Sequence, residues 1–339
     1  MSKKSKRKNN LKSSLILLLL LLLLLISSTY AWFTANENVK ISSLDVRIEA
    51  QNGLQISTDA VNWKSIITKD DITTNAYTGN TNKIPTSLVP VSTVGEIDTT
   101  TGNMKMYYGE VKSNETSGLD ELTATATTDA AGQYIVFDLF LRVEKETQLQ
   151  LTEASGVVMK TDSTDKGIKQ ASRVAFCNEG TKATGTETAT ITGMKEAVSF
   201  LDSSGAKDES KTVYIWEPNA NLHTAAAAAH ANSNYGKDNL KTDGTEVDQD
   251  YYGVKQPITT GIALKDKNYS TDTTNFALVD PDYSTNSTMT VTDVFSLQAG
   301  ITKVRVYMWI EGQDVDCENT ASGTDITFNV QFQVKKTTT

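Results

Sequence analysis

Val304-Arg305-Val306-Tyr307-Met308-Trp309-Ile310-Glu311-Gly312 decides the fold: Val304, Val306, Met308 and Ile310 alternate with Arg305, Tyr307, Trp309 and Glu311, and Gly312 ends the run. A period of two is the signature of a β-strand, because successive side chains point to opposite faces. A second run repeats it, with Ile326, Phe328, Val330, Phe332 and Val334 alternating with Thr327, Asn329, Gln331 and Gln333. Alternation this regular predicts antiparallel strands with one buried and one wet face, hence an all-β, antiparallel two-sheet β-sandwich rather than a parallel α/β fold.

Upstream, Tyr134 to Val143 carries Ile135, Phe137, Leu139, Leu141 and Val143 on one face and Val136 and Phe140 on the other. Apolar bulk on both sides predicts a central, doubly covered strand. Arg173 to Cys177 and Thr212 to Trp216 read as shorter strands, the second stopped by Pro218. From Thr74 to Gln133 the chain is rich in Thr, Asn, Ser and Gly, so it reads mostly as surface loop, with one possible strand at Met104 to Tyr108. The Ala run within Leu222 to Ala231 predicts one short helix. An irregular insertion around 217–290 is expected, since Asn, Asp, Thr and Lys dominate and Pro257 and Pro281 interrupt it.

The N-terminus sets the compartment. Lys3, Lys4, Lys6, Arg7, Lys8 and Lys12 precede an unbroken apolar run from Leu15 to Ile26. That is a basic flank followed by a signal-peptide core, or, extended through Phe33 with its aromatics, a hydrophobic membrane-anchor helix. Residues 1–31 are thus read as a signal peptide or N-terminal membrane anchor, and 32–339 as an extracellular domain. Thr29 and Ala31 have the small-residue spacing of a cleavage site, which puts the cut between Ala31 and Trp32.

Removing the six basic residues of that segment from 32, against 41 acids, takes the formal charge from -9 to -15. So acidic a surface repels nucleic acid and anionic headgroups, and no nucleic-acid partner is expected. Cys177 and Cys317 are the two cysteines of an exported chain and form a candidate disulfide; it would close a loop of about 140 residues and contribute roughly 5 kcal/mol in the chain-entropy picture. Two separately buried thiols are the other reading.

No catalytic constellation stands out. His223 and His230, with Glu217 nearby, lie seven apart, or about 10.5 Å along a helix, too far to share one ion unaided. Asp248, Asp250, Asp280, Asp282, Asp314, Asp316 and Glu318 lack the ligand spacing of a calcium loop and read as solvated acidic loops. Phosphate-cradling motifs are absent, Asn114, Asn268 and Asn286 head Asn-x-Ser/Thr triplets, and no cofactor or metal is implied. The chain reads as non-enzymatic.

Beyond the junction, Val39 and Ile41 share one register, and Ser42 and Ser43 shift the phase so that Leu44, Val46, Ile48 and Ala50 point together. Phe33, Val39 and Ile41 form a candidate donor strand, because a strand freed by cleavage offers unpaired backbone groups to an open sheet edge.

The junction Thr29-Tyr30-Ala31-Trp32-Phe33 resembles the Thr-aromatic-Ala-x-Phe junction of the TasA/camelysin family, Gram-positive exported proteins processed by a dedicated signal peptidase. Ala31 to Phe33 together with Trp309-Ile310-Glu311-Gly312-Gln313-Asp314-Val315-Asp316-Cys317 is also similar to the paired ends of a group of clostridial surface proteins. The resemblance implies a jelly-roll sandwich that assembles into fibres of the biofilm matrix, the released N-terminal strand completing a neighbour's sheet; it brings no catalytic residue. The expected role is an exported structural cell-surface or matrix protein, with itself or other surface proteins as partners and the membrane as a further contact if the leader stays. The alternative is a membrane-anchored adhesin or glycan-binding protein using Trp63, Trp216 or Tyr251 as stacking platforms, although each of these aromatics also suits a core.

Overall fold

The computed structural model describes residues 39–40, 53–74, 77–98, 101–114, 116, 119–159, 167–183, 213–218, 227, 251–263, 271–283, 291–317 and 325–335. They form an all-β architecture of several antiparallel sheets, with a short helix α1 (Lys69–Thr74). Helix α1 starts in a capping box: the Thr68 backbone N–H donates to Asp71 Oδ2 at 3.0 Å and Asp71 N–H donates back to Thr68 Oγ1 at 3.4 Å. The sequence reading placed its helix elsewhere, at Leu222 to Ala231; there only Ala227 is described, helical and buried.

The central sheet has six strands in the order β15 (Asp282–Tyr283), β11 (Val213–Glu217), β10 (Ser172–Lys182), β17 (Gly300–Ile310), β7 (Ile135–Val143) and β2 (Gln55–Ser57). All neighbours are antiparallel except β11 and β15. Ile135, Phe137, Leu139, Val174, Phe176, Trp216, Val304, Val306, Met308 and Ile310 fill one face of it. Against them pack β16 (Thr292–Leu297), β8 (Thr147–Leu151) and β19 (Phe332–Val334), paired in that order, and the β9 (Gly156–Met159) and β18 (Ile326–Asn329) pair. This is the sandwich that the alternation predicts; β18 and β19 bury every second residue.

The other face of the central sheet is covered too, against the expectation of a wet side. A four-stranded sheet, in the order β13 (Ile258–Ala263), β6 (Leu119–Thr127), β5 (Met106–Asn114) and β4 (Val91–Ser92), lies over it. Val91, Met104 and Met106 meet Tyr134, Val136, Tyr307 and Trp309 there. Farther out, the antiparallel pair β12 (Tyr251–Val254) and β14 (Phe276–Val279), separated in sequence by β13, adds Val254 and Phe276 to Tyr107, Leu122 and Ala124. At the opposite end of the same face Ala60, Tyr77, Phe140 and Ile301 cluster, with Tyr77 edge-on to Phe140 at 5.7 Å.

Two loop expectations are corrected here. The Thr-rich 74–133 region holds the nine-residue strands β5 and β6, paired from Met106↔Thr127 to Asn114↔Leu119, besides β4 and β3 (Ser87–Leu88). Likewise 251–283, read as irregular, contains β12, β13, β14 and β15. The N-terminal strand β1 (Val39–Lys40) lies antiparallel to β3, with Val39 opposite Leu88 and Lys40 opposite Ser87.

Candidate functional site

Every residue of β17 is buried, including Lys303, Arg305, Tyr307 and Trp309 on the face that sequence alternation assigned to water. Charges survive there because β7 supplies the counter-charge. Arg305 stands opposite Asp138 in the ladder, and its Nε and Nη2 donate to the two carboxylate oxygens at 2.9 and 3.2 Å. Lys303 Nζ lies 3.6 Å from Asp138 Oδ2, and the Tyr77 hydroxyl donates to the same oxygen. Arg305 Nη1 donates to Asn103 Oδ1 at 2.7 Å, tying the cluster to the covering layer. Burial alone would push the Asp138 carboxyl up, but the positive charges of Arg305 and Lys303 outweigh it and hold the group below its ordinary value. Lys303 thus joins Arg305 as a second buried cation beside the one carboxylate of Asp138.

Asp129 is the next acid on this face. Tyr134 donates to its Oδ1 at 2.7 Å and Tyr307 to its Oδ2 at 3.4 Å. Burial raises its carboxyl above the ordinary range, with those hydroxyls and Arg305 opposing.

A second cluster occupies the far end of the sheet. Arg173 on β10 is 1 % exposed, and its Nη2 meets Glu217 Oε2 at 2.8 Å and Asp314 Oδ2 at 2.7 Å. Its Nη1 donates to the carbonyls of Gln170 and Ser172, and its guanidinium carbon sits 5.3 Å from the centre of the Tyr251 ring. Burial opposes the Arg173 charge, and the two carboxylates more than restore it.

Glu311 immediately follows β17 beside this cluster and is fully buried. Trp309 Nε1–H donates to its Oε2 and Gln313 N–H to its Oε1, both at 3.0 Å. Its backbone N–H donates to Ala171 O at 2.7 Å, and the next N–H, of Gly312, donates to Val91 O at 2.9 Å, so two successive residues tie the end of the central sheet to β4. Burial, only partly offset by these donors and by Arg173, pushes its carboxyl up to about 7.

Known family models, curated proteins and solved structures offer no match to this chain.

The segment Trp309 to Cys317 is therefore interior throughout, and Asp314 and Asp316, read as solvated acids, are buried. Asp314 neutralises Arg173 and also accepts the Asp316 backbone N–H at 2.8 Å. Asp280 and Asp282 are exposed as expected, while Asp248, Asp250, Glu318, His223 and His230 lie outside the described residues. Among the described residues no group of three or more His, Cys, Asp or Glu is placed to hold a metal ion.

Cys177 and Cys317 are separate buried thiols and do not form the candidate disulfide. The reason is topological: Cys177 packs with Tyr307 and Trp309 on one face of the central sheet, Cys317 with the sandwich core on the other. Burial pushes the Cys177 thiol well up.

Two of the three proposed stacking platforms are core: Trp216 is fully buried and Tyr251 lies under Arg173. Trp63 is partly exposed, with Arg142 stacked 4.3 Å from its ring centre, and it follows a turn in which Asp59 collects the N–H groups of Val61 and Asn62. Ala31, Trp32, Phe33 and Ile41 fall outside the described residues, as does the apolar leader; no helix among the described residues is long and apolar enough to cross a membrane.

The signal for the buried clusters was present in part. Glu311, Asp314 and Asp316 close the most apolar strand of the sequence, an odd place for three acids. The partner of Asp314, Arg173, lies 141 residues away, beyond the reach of any local pattern.

Proposed function

We propose that the chain is an exported structural protein of the cell surface or biofilm matrix, a jelly-roll-like member of the TasA/camelysin group that forms fibres by donating its N-terminal strand. The observation that carries this reading is the β1–β3 pairing: Val39 and Lys40, which follow the leader junction closely, lie in strand conformation along Ser87–Leu88. Leu88 is fully buried in the main core, so the strand-accepting margin is rigid. A pairing of two residues is short, and the same register made by a neighbour's β1 would link subunits head to tail.

A structural role is supported also by the interior charges. Asp138, Arg305, Arg173 and Asp314 are each held by a charged partner on another segment, which leaves them poorly placed to act on a substrate. Deleting Trp32 to Ile41 from the mature protein should abolish filaments seen by electron microscopy; filaments of unchanged form and number would defeat the proposal.

A further inference from the structure

The outer face of the β16–β8–β19 sheet is lined with glutamine. β8 presents Gln148 and Gln150, while Gln331 stands just before β19 and Gln333 within it, directly opposite Gln150 in the ladder. The side chains bond to one another across the strands in three rows. In the first, Gln333 Nε2 donates to Gln150 Oε1 at 3.3 Å, and Gln150 Nε2 donates to Asp293 Oδ1 on β16 at 2.5 Å. In the second, Ser296 Oγ donates to Gln148 Oε1 at 3.0 Å. In the third, Thr152 Oγ1 donates to Gln331 Oε1 at 3.1 Å.

Bonds between side chains are a small minority of protein hydrogen bonds, so a sheet face built from them is not a generic wet surface. Glutamine has many rotamers, and ordering it on a ligand ordinarily costs affinity. Here the cross-strand bonds hold the amides in place beforehand. They also leave polar capacity unused: Gln331 Nε2 and Gln333 Oε1 have no partner among the described residues. The two residues share a face and stand about 7 Å apart along the strand, one offering a donor and the other an acceptor. Hydroxyl groups, each both donor and acceptor, match such a pair when they recur along an extended polymer.

Charge and composition narrow the ligand further. In a chain of formal charge -9, the face carries one acid and one base, Asp293 and Lys335, which lie 3.5 Å apart and offset each other. A locally neutral face neither attracts a polycation nor holds a polyanion. A protein partner would need an aromatic or apolar anchor, and the side chains that form the rows include none. We propose that this amide face binds an uncharged, hydroxyl-rich polysaccharide, laid along β19 with its hydroxyls bonded to Gln331 and Gln333. The site is separate from Trp63, Trp216 and Tyr251 and needs no stacking platform. Each contact is weak, and one long polysaccharide gains strength by holding several copies of the chain.

Co-sedimentation of the mature chain with suspended cellulose, curdlan and mannan tests the proposal. The parent should be retained on at least one of them, and its bound fraction should be unchanged between about 0.05 and about 0.5 M sodium chloride. Replacing both open amides, Gln331→Ala with Gln333→Ala, should weaken retention by about tenfold with the melting temperature preserved. Thr259→Ala, an exposed change on β13, should leave retention as in the parent. No retention on any of the three polysaccharides overturns the proposal, as does equal retention in the double variant, loss of retention in salt, or the same loss in Thr259→Ala. If the double variant does not fold, Gln331→Ser and Gln333→Ser made singly decide: weaker retention in each supports the site, and parental retention in both overturns it.

Discussion

Arg305 sits directly across the β17–β7 ladder from Asp138, and the guanidinium grips both carboxylate oxygens, at 2.9 and 3.2 Å, in a place where neither residue touches solvent. The pair fixes register as well as charge. A slip of one residue would turn Arg305 into the apolar sandwich face and set Val304 or Val306 against Asp138, so that only the observed alignment leaves no buried charge alone.

Removing Asp138 strands Lys303 and Arg305 in the interior together. Asp138→Ala is expected to lower stability by about 3–5 kcal/mol in urea unfolding, the range for breaking a buried pair from one side. A loss under about 1 kcal/mol would mean that the cations find water, and that the cluster is less dry than its burial indicates.

This cluster also marks the limit of what was legible in the sequence. β7 was readable as a doubly covered strand because Val136 and Phe140 are apolar on its second face. β17 was not, because Lys303, Arg305, Tyr307 and Trp309 look like a wet face until Asp138, Asp129 and Glu311 are brought to them by the fold. The β5–β6 hairpin was hidden for a different reason: charged and small residues are mixed among its few large apolar ones, so no clear period shows, and its strength lies in cross-strand pairing rather than in apolar bulk. β12, β14 and β15 are two to four residues long, too short for a period to register.

The Glu311 carboxyl links stability to pH with a definite sign. Its folded value is raised from 4.5 to about 7, so between those values the folded chain holds a proton that the unfolded chain has released. Stability from this group is full below the unfolded value and is lost as pH rises to the folded one, by roughly 3 kcal/mol in total. Urea midpoints measured across this window should fall with rising pH in the parent and lose this slope in Glu311→Gln. Parallel slopes in the two proteins would show that Glu311 does not carry the effect.

The thiols should be silent in the native state. Cys177 and Cys317 are buried on opposite faces, so an aromatic disulfide reagent should label neither in the folded protein and both after denaturation. A reductant should leave the melting temperature unchanged; a drop on reduction would restore the disulfide.

Gly253 is a purely steric position. Gly253→Ala places a Cβ 2.2 Å from Thr93 O, and the backbone must shift to admit it. The expected result is a destabilisation of about 1–3 kcal/mol, read as hydrogen exchange raised in 251–279 and unchanged in β17. Unchanged exchange in β12 and β14 would mean that β12 does not pack on Thr93 as described.

Strand donation is tested most directly at the Lys40↔Ser87 register pair. Opposed residues of an antiparallel pair bring Cβ atoms to about 4.5–5.5 Å, close enough for cysteines to link with a small backbone adjustment. A Lys40→Cys chain and a Ser87→Cys chain, mixed, allowed to assemble and then oxidised, should give a disulfide-linked dimer containing one of each, seen on a non-reducing gel and confirmed by peptide mass. Filaments that form without that heterodimer, while a chain carrying both substitutions closes only on itself, would contradict assembly by exchange of β1.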